Sequence, residues 1–217
     1  RSCSADPRVY IMPPMTSRTG ETPLWPMYLG GFLGPFGSPI VTTMLPELSV
    51  QYGVSVQAAS TSLTAYLLPF AALMLVSGTL AERMGRRRTV QVGYIVYALA
   101  AVACALAPTF ELFILFRILQ GASNAFTTPV LVAAITDIVA PGRLGRSLGL
   151  FGSMQATGQA MSPLAGGIAA DLNWRVAFFA IAVVSALLAF LPPGDAKHPY
   201  TGRQIDRWRM LANRQLL

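Results

Sequence analysis

The chain has 217 residues, of which 53% are apolar and only 12% charged, and a formal net charge of +7. Ordinary soluble chains carry about 25% charged residues, so the surplus apolar surface has to face lipid rather than water. Two cysteines far apart in sequence and one histidine, His198 in a polar tail, exclude a disulfide framework, His-based catalysis and most metal chemistry; no cofactor is implied, and the basic residues fall in gaps between apolar runs, against a nucleic-acid interface.

Residues 1–21 are polar and Pro-containing and lack the apolar core of a signal peptide. Met15 reads as a sensible start, which would leave residues 1–14 as spurious or disordered sequence. Uncharged stretches then run over 22–46, 48–81, 89–110, 118–136, 147–170 and 176–194. A helix crossing the hydrocarbon core needs roughly 17–25 apolar residues, and each stretch supplies them. The second has room for a polar external loop over 49–57 before its helix, and the fourth extends back through Arg117 to Leu112. Backbone groups in lipid must be satisfied within the segment, so these are helices, and six of them form a transmembrane domain over 22–194. A basic polar linker follows over 195–217.

Fourteen of the sixteen Lys and Arg residues lie on one side of this topology: in the N-terminal tail, in the loop carrying Arg83 and Arg86–Arg88, in the loop carrying Arg143 and Arg146, and in the C-terminal tail. The opposite side has Arg175 alone, and Arg117 lies inside the membrane. The excess of positive charge puts both termini in the cytoplasm, which for this composition means an integral protein of the plasma or inner membrane.

Three motifs carry chemistry. Gly78-Thr79-Leu80-Ala81-Glu82-Arg83-Met84-Gly85-Arg86-Arg87-Arg88 follows the second span, and its glycines suit a chain that must reverse within a few residues. The arginines crowd the start of helix three and Glu82 the end of helix two, both against the helix dipole, so partners are expected: lipid phosphates for the arginines, and Asp137 at the end of helix four for Arg86. The segment resembles the G-x-L-A-D-R-x-G-R-[KR] signature of the major facilitator superfamily, with Glu in place of Asp. That resemblance implies the all-α N-terminal half of a twelve-helix transporter, built as a 3+3 inverted repeat, with a second six-helix half as its partner. It also implies a cytoplasmic gating cluster of Gly78, Glu82, Arg83, Gly85, Arg86 and Asp137.

Arg117-Ile118-Leu119-Gln120-Gly121 resembles the R-x-x-Q-G signature of helix four in the same family. Arg117 lies about 10 Å below the outer edge of its span at 1.5 Å per residue, where an arginine costs at least about 2.5–3.5 kcal/mol. Arg117, Gln120, Asn124 and Thr127/Thr128 recur at helical spacing as one polar stripe. Interhelical hydrogen bonding would explain such a stripe, and a cavity lining explains the arginine better. Phe36, Tyr66, Phe70, Phe126, Gln155 and Gln159 are the further lining candidates, an aromatic and amide mixture suited to amphipathic organic molecules.

In helix five, Gly149, Gly158, Ser162-Pro163 and Gly166-Gly167 permit close helix approach and, at Pro163, a bend. The set resembles the antiporter signature G-x8-G-x3-G-P-x2-G-G, with Ser162 replacing one glycine. What this resemblance implies is a non-enzymatic exporter of drugs or metabolites that moves small molecules against protons by alternating access. No Asp or Glu lies deep in any of the six stretches and arginine does not deprotonate, so the coupling acid is expected in the other half. A uniporter or importer is the alternative; a six-helix scaffold would leave the intramembrane arginine unexplained, and a serine protease would lack an intramembrane histidine.

Overall fold

Proline, glycine and capping residues interrupt the first and fourth apolar stretches and bound the helices of the others. The computed structural model describes residues 24–191, so the expected tail over 1–21 and the linker over 195–217 lie outside the described residues. Within them the first span opens with Pro26 in the first turn of α1 (Trp25–Gly37). Pro39 has no N–H to continue that ladder, and the chain tightens into a 3-10 segment, Pro39–Met44, before resuming as α2 (Leu45–Tyr52). The span therefore runs six residues past the 46 expected, because Glu47 and the polar residues after it are helical. The external loop expected over 49–57 shrinks to Gly53, Val54 and Ser55. Gly53 closes α2 at φ 63°, its N–H bonded to the Ser49 carbonyl, a left-handed cap that favours glycine.

Ser55 caps α3 (Val56–Met84) by accepting from the Ala58 N–H. A single residue, Gly85 at φ 87°, then turns the chain into α4 (Arg86–Leu106). The turn-forming role expected of both motif glycines thus belongs to Gly85; Gly78 lies inside α3 with open space beside it. Thr109 caps α5 (Phe110–Asn124), residues 125–127 interrupt it, and α6 (Thr128–Ile138) completes the fourth span. The fifth and sixth spans are α7 (Pro141–Leu172) and α8 (Trp174–Ala189), separated only by Asn173, whose side chain caps α8. By length and composition alone, three runs could cross a membrane: Val56–Met84, Arg86–Leu106 and Phe110–Ile138. The other spans fall short for visible reasons: a 3-10 break in the first, glycines and arginines in α7, and a length of 16 residues in α8.

The three most extensive packing pairs are α4 with α8, α1 with α7 and α3 with α5, and the sequential neighbours α4 and α5 also pack closely. Counted as spans, one pairs with five, two with four and three with six. Exchanging spans one to three for four to six maps this set onto itself, as an inverted repeat requires; a sequential up-down ring would pair neighbours instead. Small residues set the approach. Ala98, Ala101 and Ala105 of α4 meet a face of α8 carrying Ala177, Ala182 and Ser185. A Cβ at Gly121 would collide with the Tyr66 carbonyl oxygen of α3, and one at Gly158 with the Phe32 carbonyl oxygen of α1. These are the second–fourth and first–fifth contacts, equivalent under the repeat. Outward, large side chains such as Leu75, Leu164, Leu172 and Phe190 are exposed, an apolar surface that suits lipid and marks an integral membrane protein.

The glycine contacts make a graded prediction. Gly121→Val and Gly158→Val strike backbone atoms that cannot swing aside, and each should lower stability by about 1–3 kcal/mol. Gly149→Ala and Gly167→Ala face open space and should be neutral or stabilise by up to about 1 kcal/mol. Unfolding titrations in mixed micelles distinguish the two pairs; equal losses at all four positions would contradict this packing.

Candidate functional site

The break in the first span releases carbonyl groups in the middle of the bundle, and three side chains from other spans answer them. Arg117, fully buried on α5, donates from a terminal nitrogen to the Gly37 carbonyl at 3.2 Å and from the other to the Ser38 carbonyl at 3.2 Å. Its Nε reaches the Ser62 carbonyl of α3 at 3.4 Å, and the Gln120 side-chain oxygen accepts at 2.7 Å. The guanidinium also lies over the Tyr66 ring, 4.4 Å from its centroid, a cation–π contact strengthened by desolvation. Ser162 of α7 donates to the Phe36 carbonyl at 2.6 Å, which gives the serine that departs from the glycine signature a bonding role. The Tyr66 hydroxyl approaches the Gly34 carbonyl at 3.5 Å. Arg117 therefore sits at the C-terminal end of α1, where the helix dipole favours a cation, and Gln120 orients it.

Beside this brace is an open concavity of about 380 Å³. Tyr66 and Phe70 of α3 line it, with Asn124 and Thr128 on the two sides of the break in span four and Gln155 and Gln159 of α7. Of the nine expected cavity residues, Tyr66, Phe70, Asn124, Gln155 and Gln159 are thus brought together. Arg117 and Gln120 stand outside the lining, Arg117 bonded to backbone carbonyls and Gln120 accepting from Arg117. Phe36 is also outside it, stacked on Phe32 at 5.2 Å, and Phe126 faces a separate crevice between α3, α4 and α5. Sequence reasoning missed Ser38 and Thr42, which line the concavity because the chain is 3-10 there; Pro35 and Pro39, four residues apart, were the available signal. No carboxylate lines the concavity. Glu47 lies in α2, toward the end of the bundle that holds Gly53, with one carboxylate oxygen buried and unpartnered among the described residues.

At the opposite end, Arg86 ion-pairs with Asp137 and donates to the Ala133 carbonyl of α6 at 3.0 Å, fixing the turn at Gly85 against the fourth span. Glu82 and Arg83 are exposed at the end of α3, outside this pair, so the expected cluster is assembled in two of its four charged members. Gly158 and Gly166 of helix five pack on span one, whereas Gly149 and Gly167 meet open space.

Removing the brace leaves carbonyls unpaired in a site without water. Arg117→Leu leaves buried backbone acceptors without their donor and should cost at least about 1–3 kcal/mol of stability, while Arg117→Lys, a point charge without the planar fork, should recover only part of it. Thermal unfolding in detergent measures both, and an unshifted Arg117→Leu would refute the brace. Asp137→Asn breaks a pair whose side chains are about one-third exposed (32% and 36%). It should therefore cost less than about 1 kcal/mol yet reduce flux in a full-length transporter, with membrane insertion intact.

A family model for the Major Facilitator Superfamily matches residues 27–217. The uncharacterized MFS-type transporter Rv1250 of Mycobacterium tuberculosis is 31% identical over 182 residues, covering 82% of this chain and 31% of the relative. The puromycin resistance protein pur8 of Streptomyces alboniger is 35% identical over 154 residues, covering 70% of this chain and 30% of its own length. A crystal structure of a D-xylose-proton symporter shares the fold, with a TM-score of 0.69 at 16% identity over 87% of this chain and 50% of that one. The chain spans about a third of the length of the curated relatives it matches. On its motifs, its exchanged span pairs and these matches, the chain belongs to the Major Facilitator Superfamily.

Proposed function

We propose that the chain forms one half of an alternating-access transporter that exports small amphipathic organic molecules in exchange for protons. The observation that carries this reading is the concavity beside the two broken spans. Its volume, about 380 Å³, falls in the range of small-molecule sites, roughly 300–1,000 Å³, and its lining mixes aromatic rings with amides and hydroxyls. It is open on one side, as one wall of a midplane site between two halves would be. Export is supported by the helix-five glycine and proline pattern and by a relative named for puromycin resistance. Because no carboxylate lines this wall, the coupling acid is assigned to the opposing half. The distribution of Lys and Arg supports cytoplasmic termini, which would put the Arg86–Asp137 pair on the cytoplasmic face.

The test is flux through liposomes. The full-length protein should show saturable, pH-gradient-driven movement of a cationic amphipathic dye such as ethidium, and the 217-residue chain alone should show none. Saturable flux from the short chain would overturn the reading in favour of a half-size transporter working as a dimer; a gradient-independent full-length protein would remove the proton and leave a uniporter.

A further inference from the structure

The break in the fourth span leaves a polar corner in the concavity that the Arg117 brace does not use. Asn124 ends α5, is 5% exposed and lines the concavity. Its amide has a fixed orientation, because the Thr127 hydroxyl donates at 3.0 Å both to the Asn124 main-chain carbonyl and to its side-chain oxygen Oδ1. The nitrogen Nδ2 is therefore the atom left to bond, and it can only donate. Thr128, the first residue of α6, lines the same corner. Both side chains stand over Gly34 of α1. A Cβ there would lie 2.8 Å from Oδ1, 3.1 Å from Nδ2 and 3.3 Å from Thr128 Oγ1, so they meet at this spot only because α1 offers no side chain.

We infer that this corner is an acceptor subsite: a neutral oxygen of the transported molecule docks on Asn124 Nδ2 and the Thr128 hydroxyl, with its apolar body along Leu63, Leu67 and Phe70. The inference rests on the export reading and adds an orientation for the substrate. Three features fix the sign of the subsite. The Arg117 guanidinium lies 4.4 Å over the Tyr66 ring, so the charge behind this wall is positive and one face of that ring is already given to a cation. The first turn of α6 has neither a side-chain cap nor an acidic residue, which leaves the positive end of its dipole beside Thr128. The opposing carbonyls at the end of α5 are occupied: Gly121, Ser123 and Asn124 accept from the N–H groups of Ala125, Phe126 and Thr127. Gln155 and Gln159 of α7 each offer a donor and an acceptor and impose no sign. A carbonyl, ester or ether oxygen suits this corner, and a cationic group on the same molecule is turned toward the opposing half.

The test compares two cationic dyes in liposomes holding the full-length protein under a pH gradient. Ethidium has nitrogen as its only heteroatom, whereas rhodamine 6G adds an ester carbonyl and a ring oxygen. The readout is the ratio of kcat/KM for rhodamine 6G to that for ethidium, since a site built to donate a hydrogen bond discriminates by that bond. Asn124→Leu should lower the ratio roughly tenfold, the worth of one buried donor. Asn124→Asp keeps the shape and removes the donor, and should lower the ratio at least as far; a residue that only packs would leave it unmoved. Thr128→Val, at a half-buried position, should lower it roughly threefold, and it decides the matter where the Asn124 variants fail to insert. Flux of both dyes with a ratio within twofold of wild type, or above it, in these variants would overturn the subsite alone. A wild-type protein that moves neither dye would overturn the export reading and the subsite together.

Discussion

A helix that breaks inside lipid must find donors for the carbonyls that the break sets free, because no water is there to donate to them. In this chain that constraint falls on Gly34 to Ser38, and three polar side chains from other spans meet it. Tyr66 comes from span two, Arg117 from span four and Ser162 from span five. The arginine is affordable there because its charge is spread over four hydrogen bonds, one aromatic face and the negative end of α1. A lysine, a single strongly hydrated point charge, could not divide itself among three backbone oxygens and an amide.

Close approach makes the brace geometrically possible. The Tyr66 ring can lie under the guanidinium because the backbone of α3 is drawn against Gly121, one turn beyond Arg117 on α5. On the other side, Gly158 lets α7 meet α1 at Phe32, which brings Ser162 to the Phe36 carbonyl one turn later. Glycine contact and polar partner are thus one turn apart in both cases. The same small-residue chemistry that packs membrane helices here also sets which side chains reach the break.

The six spans were legible because hydropathy and charge are coarse signals that survive local irregularity. The pairing of Arg86 with Asp137 was legible because dipole conflicts at the helix ends demanded partners. The first span was harder: Glu47 and the polar run after it read as a gap and a loop, yet they continue the helix, since a charged residue near the end of a span can reach the interface. Arg117 shows the limit most clearly. Its cost in lipid marks it from sequence as needing a partner, but sequence supplies the side-chain partners only, and the acceptors it uses are mostly backbone carbonyls exposed by Pro39 several spans away. Gln155 and Gln159, with exposed amides at helical spacing on a glycine-rich helix, carried a simpler signal, and the structure lines the concavity with both.

The brace also bears on how such a half could move. Arg117 ties spans one, two and four through bonds that all depend on the same guanidinium, so displacing any one of those spans alone would strip it of partners in a dry site. Span five is joined to span one by the Ser162 hydroxyl and by Gly158 and Gly166, with no charge involved. The cheaper motion is therefore of the four spans together, with Tyr66, Asn124, Gln155 and Gln159 carried as one wall. The groups that satisfy the freed carbonyls thereby connect spans that would otherwise slide apart.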